Sequence, residues 1–520
     1  MKKTFKILSV VLIFVIIAIL WFFWRARDRY PGYEINLSIN NAEEGLIKAG
    51  FAAIPVTPVL EDTWVDVNND FQFKKKDGDT WEDRNGNGKF DACWIAGFHG
   101  SRAAQVIHDD LWARAVVVDD GKTRLAMVSV DVIGLFHTDV IEIRALIPED
   151  AGITYTTVSS THTHQGPDLL GLWGPHHFKT GVNKAYKARV ISTAAKAVFK
   201  ASKNMRPAKL HFAVNPNDAS ALVADTRDPQ VFDNAIKIMH VIDAETDTTL
   251  GILVNWGCHP ETTWNEHLRI SSDFPHYLRF YLENGIKKPD SVIMKGYGGT
   301  AVFIAGCIGG LMTTSPDITI TDPVSKRKFS EPSFQKADAQ GKNLAMLIDS
   351  TLRTSGDTIT KTSIQLHAKT IKLPIDNNVL KLGVILKVID RGFYDWYKVL
   401  VPTVKSEIAA FTIGDAFFMT VPGEIYPEIV YGGIEAPEGQ DFNTKPVEVP
   451  PLESMMPGTY HFILGLTNDE IGYIIPKSEW DRKPPYLYGS SSEHYGEINS
   501  LGPETAPILH SALKEVLSGF

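Results

Sequence analysis

The segment Ser159-Ser160-Thr161-His162-Thr163-His164-Gln165-Gly166-Pro167 carries two imidazoles two residues apart, at the end of the apolar, β-branched run 152–158. Neutral imidazole is the commonest protein ligand for zinc, but a metal site needs three or four donors. Without partners, the pair is two polar residues on a wet loop. The partners on offer share one structural position. The run ending at Trp256 is followed by Gly257-Cys258-His259-Pro260, and the run ending at Val421 by Pro422-Gly423-Glu424. The run ending at Leu466 is followed by Thr467-Asn468-Asp469-Glu470-Ile471-Gly472-Tyr473. His162, His259, Glu424 and Tyr473 therefore each follow the C-terminal end of a predicted strand, the edge where open α/β sheets gather their ligands. Two imidazoles, a carboxylate and a phenolate suit zinc. Singly, each has a plainer explanation: His259 as a turn residue before proline, Glu424 as a cap for a predicted helix at 426–434, Tyr473 as a half-buried aromatic. Their shared placement favours the joint reading.

The elements that must position these residues are legible as pattern. Stretches 113–118 and 124–130 flank Asp119-Asp120-Gly121 and read as a β-hairpin. Stretch 152–160 reads as a strand, and 183–203 as a helix with Ala185, Val190, Ala194, Ala195 and Val198 on its apolar face. Further strands are predicted at 249–256, 301–305, 416–421 and 461–466. Continuous apolar runs such as Ala416-Phe-Phe-Met-Thr-Val421 fit strands covered on both faces. The expected fold is α/β: a mixed β-sheet flanked by helices, with the metal site at the C-terminal ends of strands, preceded by one transmembrane helix. Segment 371–410 breaks the pattern and reads as an excursion from the main sheet. No internal repeat and no low-complexity linker divides the body.

The chain has 520 residues and a net charge of −9, with ordinary apolar and charged fractions and no basic footprint for nucleic acid. Its three cysteines, Cys93, Cys258 and Cys307, are too few for a disulfide framework. Lys2, Lys3 and Lys6 precede an uncharged apolar run at 7–24, long enough to span a bilayer. Trp21, Phe22, Phe23 and Trp24 stand where a signal peptide would carry small residues for cleavage, and aromatic residues suit the membrane interface. The expectation is an uncleaved signal anchor at 1–30, with a cleaved signal peptide as the alternative, then a short stalk at 31–44. Arg25, Arg27 and Arg29 balance the basic N-terminus, so loop charge does not set the orientation. The simplest topology exports the body, to the periplasm or the cell exterior.

A second chemical feature is Asp83-Arg84-Asn85-Gly86-Asn87-Gly88-Lys89-Phe90-Asp91. Oxygen donors at alternate positions with a glycine sixth match the first three-quarters of a calcium loop, with Asp83, Asn85, Asn87, the Lys89 carbonyl and Asp91 as candidate calcium ligands. Trp94 stands where the bidentate glutamate belongs. Asp66, Asn68, Asp70, Asp77 and Asp79 lie just upstream and could complete a sphere. The alternative is a solvated, turn-rich insertion, and 62–94 is expected to be an insertion in either case.

Across 45–503 the chain resembles the neutral, non-lysosomal ceramidases through short motifs in the same order. These are Thr161-His-Thr-His-Gln-Gly-Pro167, Cys258-His259, Ile270-Ser-Ser-Asp273, Val421-Pro-Gly-Glu424, Asn468 to Tyr473, and Tyr495-Gly-Glu497. Ala52-Ala-Ile-Pro-Val-Thr-Pro58 and Val128-Ser-Val-Asp131 are similar to that family's opening strands. The family hydrolyses the amide bond of ceramide to sphingosine and a fatty acid. The resemblance implies that 45–520 is a zinc hydrolase domain with zinc held by His162, His259, Glu424 and Tyr473. It also implies His164 near the reacting carbonyl and Tyr495 as a second tyrosine of the pocket, the two candidate catalytic residues. There are two departures. The family's serine falls at Met312, within Ala305-Gly-Cys-Ile-Gly-Gly-Leu-Met312, and methionine neither donates a strong hydrogen bond nor attacks a carbonyl. The nearest hydroxyl is Thr313. The family's C-terminal β-sandwich domain also has no counterpart before Phe520.

The expected activity is zinc-dependent hydrolysis of an N-acyl (sphingo)lipid to amine and fatty acid. In it His164 stabilises the oxyanion or passes a proton to the leaving amine, and Asp131 and Asp273 either orient histidines or satisfy turns. The expected partners are a lipid-like amide substrate and a membrane, through the N-terminal helix, with zinc and calcium as cofactors. The alternatives are a metallohydrolase of another acyl amide or of a peptide, and an inactive relative that binds lipid or a partner.

Overall fold

The computed structural model describes residues 2–216, 218–314 and 318–520. Its principal strands are β1 (Asn36–Ile39), β2 (Lys48–Pro55), β3 (Trp112–Asp119), β4 (Arg124–Val130), β5 (Tyr155–Ser160), β6 (Arg206–Asn215) and β7 (Ile236–Asp243). They continue with β8 (Thr249–Trp256), β9 (Thr300–Ala305), β10 (Asp357–Ile359), β11 (Leu366–Pro374), β12 (Thr403–Ile413), β13 (Ala416–Thr420) and β14 (Tyr460–Leu464). The principal helices are α1 (Lys2–Arg25), α2 (His137–Leu146), α3 (Lys184–Lys203), α4 (Phe274–Asn284), α5 (Phe334–Thr354), α6 (Asn378–Ile385) and α7 (Thr505–Leu517).

Side chains along these strands alternate between two dry destinations, which is why their sequences read as continuous apolar runs. In β3, Ala113, Ala115 and Val117 pack outward with α3, while Val116 and Val118 point inward. In β13, Ala416 and Phe418 join the same inner layer and Phe417 and Met419 face the opposite way, toward the layer containing α7. Two sheets thus meet face to face, each covered outside by helices: α2 to α5 on one side, α7 on the other. The nine-stranded sheet runs β9-β8-β7-β6-β2-β3-β4-β5, with β10 added on β6; the five-stranded sheet runs β1-β11-β12-β13-β14. Each is mixed: β8 with β9, β4 with β5, and β13 with β14 are parallel, and the other pairs are antiparallel. The sheets are cross-tied by Asn255 of β8. Its amide nitrogen donates to Ile304, Ala305 and Ile463 carbonyls at 3.1, 3.2 and 2.8 Å, and its oxygen accepts from the Ile463 N–H at 3.2 Å. Leaving those buried groups unpaired would cost about 1–3 kcal/mol each.

The larger sheet curls until its two edges approach. Ser129 of β4 donates its hydroxyl to the Phe303 carbonyl of β9 at 2.6 Å. The chain leaving β14 then straps the edges together. Gly465 N–H bonds the Ala305 carbonyl at 2.9 Å, Ser160 N–H the Leu466 carbonyl at 3.1 Å, and Asn468 N–H the Val158 carbonyl at 2.8 Å. Leu466 and Asn468 take φ of 48° and 70° there, left-handed values that a non-glycine residue adopts only when its surroundings fix it. This closure brings the ends of β5 and β8, at opposite sides of the sheet order, to one place.

Four sequence expectations are corrected. Residues 31–44 do not form a free stalk: β1 pairs along β11, and Lys405 Nζ contacts the Tyr30 and Tyr33 carbonyls and Asp28. The excursion is narrower than 371–410, because both its ends are strands of the five-stranded sheet; it spans 375–402 and contains α6. The helix expected at 426–434 is shortened to Pro427–Tyr431. A repeat does exist, within the insertion. Asp62-Thr-Trp-Val-Asp66 recurs seventeen positions later as Asp79-Thr-Trp-Glu-Asp83, and the two copies pair antiparallel with Trp64 opposite Trp81. Each copy's first aspartate caps the other copy: Asp62 accepts from Arg84 and Asp91 N–H, and Asp79 from Val67 and Lys74 N–H. Between the two copies the paired aspartates, the Thr-Trp pair, Asn68 with Asn85 and Phe73 with Phe90 recur, while the intervening residues differ. Among the described residues, Phe5–Arg25 is the one helix stretch long and apolar enough to cross a membrane. The three cysteines are free.

Candidate metal centre

His162 leaves β5 with φ of 66°, a strained conformation for a residue with a Cβ. It is held there by its N–H on the Val132 carbonyl at 3.0 Å and by ring Nδ1 on the Ile133 carbonyl at 2.6 Å. A carbonyl can only accept, so Nδ1 carries the proton and Nε2 is left bare. His259, just beyond β8, repeats the arrangement: its main-chain N–H and its Nδ1 both reach the Met312 carbonyl at 2.8 Å. Its Nε2 lies 2.9 Å from Glu424 Oε2, while His162 Nε2 lies 3.7 Å from Glu424 Oε1. Main-chain carbonyls on Nδ1 are the usual way a protein fixes the tautomer and aim of a metal-binding histidine.

Glu424 is aimed by a two-residue parallel pairing of Glu424-Ile425 with Tyr473-Ile474, so sequence expectation and register coincide in setting Glu424 beside Tyr473. The approach is tight: a Cβ at Gly423 would sit 2.5 Å from the Gly472 carbonyl oxygen. His164 completes the cluster, its ring centroid 5.0 Å from that of His162 and 5.6 Å from that of His259. Its Nδ1 lies 3.0 Å from Glu261 Oε2, outside good hydrogen-bond alignment, and neither ring nitrogen has another partner. His162, His164 and His259 each offer a ring nitrogen within 4.8 Å of the others.

The electrostatics ask for a cation. Two buried carboxylates, Glu424 and Glu261, face three imidazoles. Burial pushes His162 down to about 3, so this ring is neutral despite Glu424. Burial also works against protonating His259, but Glu424 outweighs it and lifts the ring to about 9. Burial opposes ionising the two acids, yet the hydrogen bond and charge of His259 hold Glu424 below the usual carboxylate range, and His164 draws Glu261 down to about 2. A proton on His259 answers one of the two ionised carboxylates; a divalent ion would answer both while leaving the ring neutral. The donors therefore fit zinc: His162 Nε2, His259 Nε2 and Glu424, with His164 or Tyr473 beside them. Tyr473 hydrogen-bonds Glu424, and burial raises its phenol well above the usual value.

A cavity of about 110 Å³ opens from this cluster. His162, His164, Glu424, Tyr473 and Tyr495 line it, and most of the remaining wall is apolar, including Phe136, Leu170, Trp173, Leu380 and Val384. Tyr495 is half-exposed. All the zinc candidates and both catalytic candidates thus gather at one place. The calcium candidates lie in the insertion, and none lines the cavity. The Met312 side chain is wholly buried in the core under β8 and β9, so that position contributes its carbonyl, not a functional side chain. Asp131 and Asp273 do not orient histidines. Asp131 takes a bidentate pair from Arg279 at 2.8 Å, and Asp273 caps α4 while accepting Thr262 and Thr263 N–H groups. Sequence reasoning missed Glu261, although its place two residues after His259 in Cys-His-Pro-Glu was a signal. It also missed Glu470 and Arg391, which line the cavity.

No family model matches the chain, and no curated protein does. Among solved structures, the chain is similar to neutral ceramidase from Pseudomonas aeruginosa at 13% identity and a TM-score of 0.61, covering 91% of this chain and 74% of that one. It is similar also to a ceramidase complexed with C2, at 12% identity and a TM-score of 0.63, covering 91% and 75%. The chain therefore has the fold of the neutral ceramidases, as the ordered motifs led one to expect.

Gly423→Ala is expected to destabilise the protein by about 1–3 kcal/mol in urea unfolding, because the Gly472 carbonyl is main chain and cannot swing aside. An unchanged midpoint would show that the approach of these two loops is not tight.

Proposed function

We propose that this chain is a metal-dependent amide hydrolase of ceramidase type that cleaves an N-acyl lipid to an amine and a fatty acid, tethered to the membrane by α1 with its body exported. The observation that carries the reading is the convergence of His162, His164, His259, Glu424 and Tyr473 at one end of an apolar cavity. His162, His259, Glu424 and Tyr473 would hold zinc, which supplies an acidified water and a polarised carbonyl when bound. The apolar wall takes the acyl chain and keeps bulk water from the amide. Glu261 beside His164 Nδ1 would hold one proton there and favour the doubly protonated ring, whose Nε2 could pass its proton to the departing amine. The Tyr495 hydroxyl, on the cavity wall, is a donor for the substrate's polar head. A second reading, hydrolysis of another acyl amide or of a peptide, is favoured by one observation: no hydroxyl stands at Met312.

The test is a panel of fluorogenic N-acyl amides, from ceramide analogues to short acyl amino acids, with and without a chelator. Ceramide-analogue cleavage that is lost on chelation and falls at least about 10²-fold in a His162→Ala, His259→Ala double variant supports the first reading. Cleavage of short acyl amides alone supports the second. Tight lipid binding without turnover, indifferent to metal, contradicts both and describes an inactive relative.

We also propose that the insertion takes calcium in its second copy. Asp83 accepts Asn87 and Gly88 N–H, and the Asn85 and Asn87 side chains both turn to Asp91 Oδ2, at 2.8 and 2.5 Å. In the first copy Lys74 replaces Asp91, and its ammonium sits 2.7 Å from Asp70. That copy supplies its own cation, and the second does not. Calorimetric titration of the metal-free protein should give one calcium site, lost in Asp83→Asn, Asp91→Asn. No heat at millimolar calcium would overturn the assignment.

A further inference from the structure

The excursion 375–402 has two apolar faces, and the cavity uses one of them. Leu380 and Val384 of α6, with Ile389 beyond it, line the cavity wall. On the other side Val379, Leu382 and Leu386 are exposed, and Lys381 Nζ donates to the Leu400 carbonyl at 2.9 Å. That bond sets the exposed Tyr397, Leu400 and Val401 beside them; Leu400 is 83% exposed. A soluble surface rarely gathers this much aliphatic area without a partner.

The neighbouring structure indicates the partner. The end of α1 is docked on this same excursion without slack. Asp28 N–H bonds the Phe393 carbonyl at 2.8 Å, Phe393 N–H bonds the Ala26 carbonyl at 2.7 Å, and the Phe23 and Phe393 rings stack at 5.6 Å. The exposed apolar face of α1 thus ends beside the excursion, and where α1 meets a bilayer surface the excursion must meet it too. The collar between them is basic and aromatic, the composition of a membrane interface. Arg25 lies over Trp21 at 5.0 Å and Arg27 over Trp24 at 4.1 Å. Lys387 faces Arg25, Arg27 and Arg29, with Asp390 the acid among them.

We propose that the outer face of α6, with Leu386, Leu400 and Val401, is a membrane-docking surface that sinks into the headgroup and upper acyl zone of the same lipid leaflet that receives α1. It goes beyond the hydrolase reading and rests on α1 being a membrane span. Since the inner face of α6 is cavity wall, a lipid substrate reaches the metal cluster from the leaflet past α6, with its acyl chain staying on apolar surface.

The test uses the full chain in nanodiscs of phosphatidylcholine with a minor share of phosphatidylglycerol, in a Cys93→Ser background. A solvatochromic label is placed in turn by Leu382→Cys, Leu400→Cys, Leu12→Cys within α1, and Lys196→Cys on α3 in the opposite outer layer. Lipids spin-labelled on the upper acyl chain should quench the labels at 382 and 400 at least about twofold more than the label at 196. Quenching at 12 with none at 382 or 400 overturns the docking surface and spares the anchor. No quenching at 12 overturns the anchor reading and the proposal with it. A blue shift at 382 and 400 without lipid quenching, in discs holding two chains, gives the face to a second copy and overturns the proposal.

Discussion

Three imidazoles and two carboxylates buried at one spot carry negative charge that protons or a cation must answer. The carbonyls of Ile133 and Met312 fix which ring nitrogens carry protons, and burial keeps His162 uncharged, so the charge of Glu424 and Glu261 must be met by something else. A proton on His259 is the response available to the bare protein; a divalent ion is the response that uses every donor. The strained φ of His162 has a reason only if its ring must stand where it does.

The architecture around the cluster follows from that demand. The candidate ligands at the ends of β5, β8 and β13 start on different strands, two of them far apart in one sheet's order. They meet because the larger sheet curls and the chain after β14 straps its edges, carrying Tyr473 onward to pair with Glu424. Arg144, bidentate on Glu407 at 2.7 and 2.9 Å, and Asn255 lock the two sheets in that relation. The apolar layers supply the free energy, and these few buried polar ties set the register.

Much of this was legible in the sequence. Strand ends followed by chemistry-bearing residues were read from apolar runs, because a strand buried on both faces leaves a continuous signal. The four zinc candidates and His164 were named from that placement and from ordered motifs, and they do converge. What was not legible depends on tertiary contact. Met312 looked like a missing functional group, but its side chain belongs to the core and its carbonyl orients His259. Asp131 looked like a histidine partner, but Arg279, far along the chain, claims it. The insertion's repeat is an exception, because Asp-Thr-Trp-x-Asp recurs in the sequence itself; only the reciprocal capping by Asp62 and Asp79 needed the tertiary structure. The face of α6 gave no signal either, since a short apolar helix reads the same whether it covers a core, a cavity or a membrane.

The central claim is that one divalent ion is shared by His162, His259 and Glu424. X-ray data collected on either side of the zinc absorption edge, from crystals grown with zinc, test it most directly. The account predicts one strong anomalous peak in bonding contact with both Nε2 atoms and a Glu424 oxygen. It would be contradicted by density at that point without anomalous signal, or by zinc bound elsewhere while those donors hydrogen-bond only to one another.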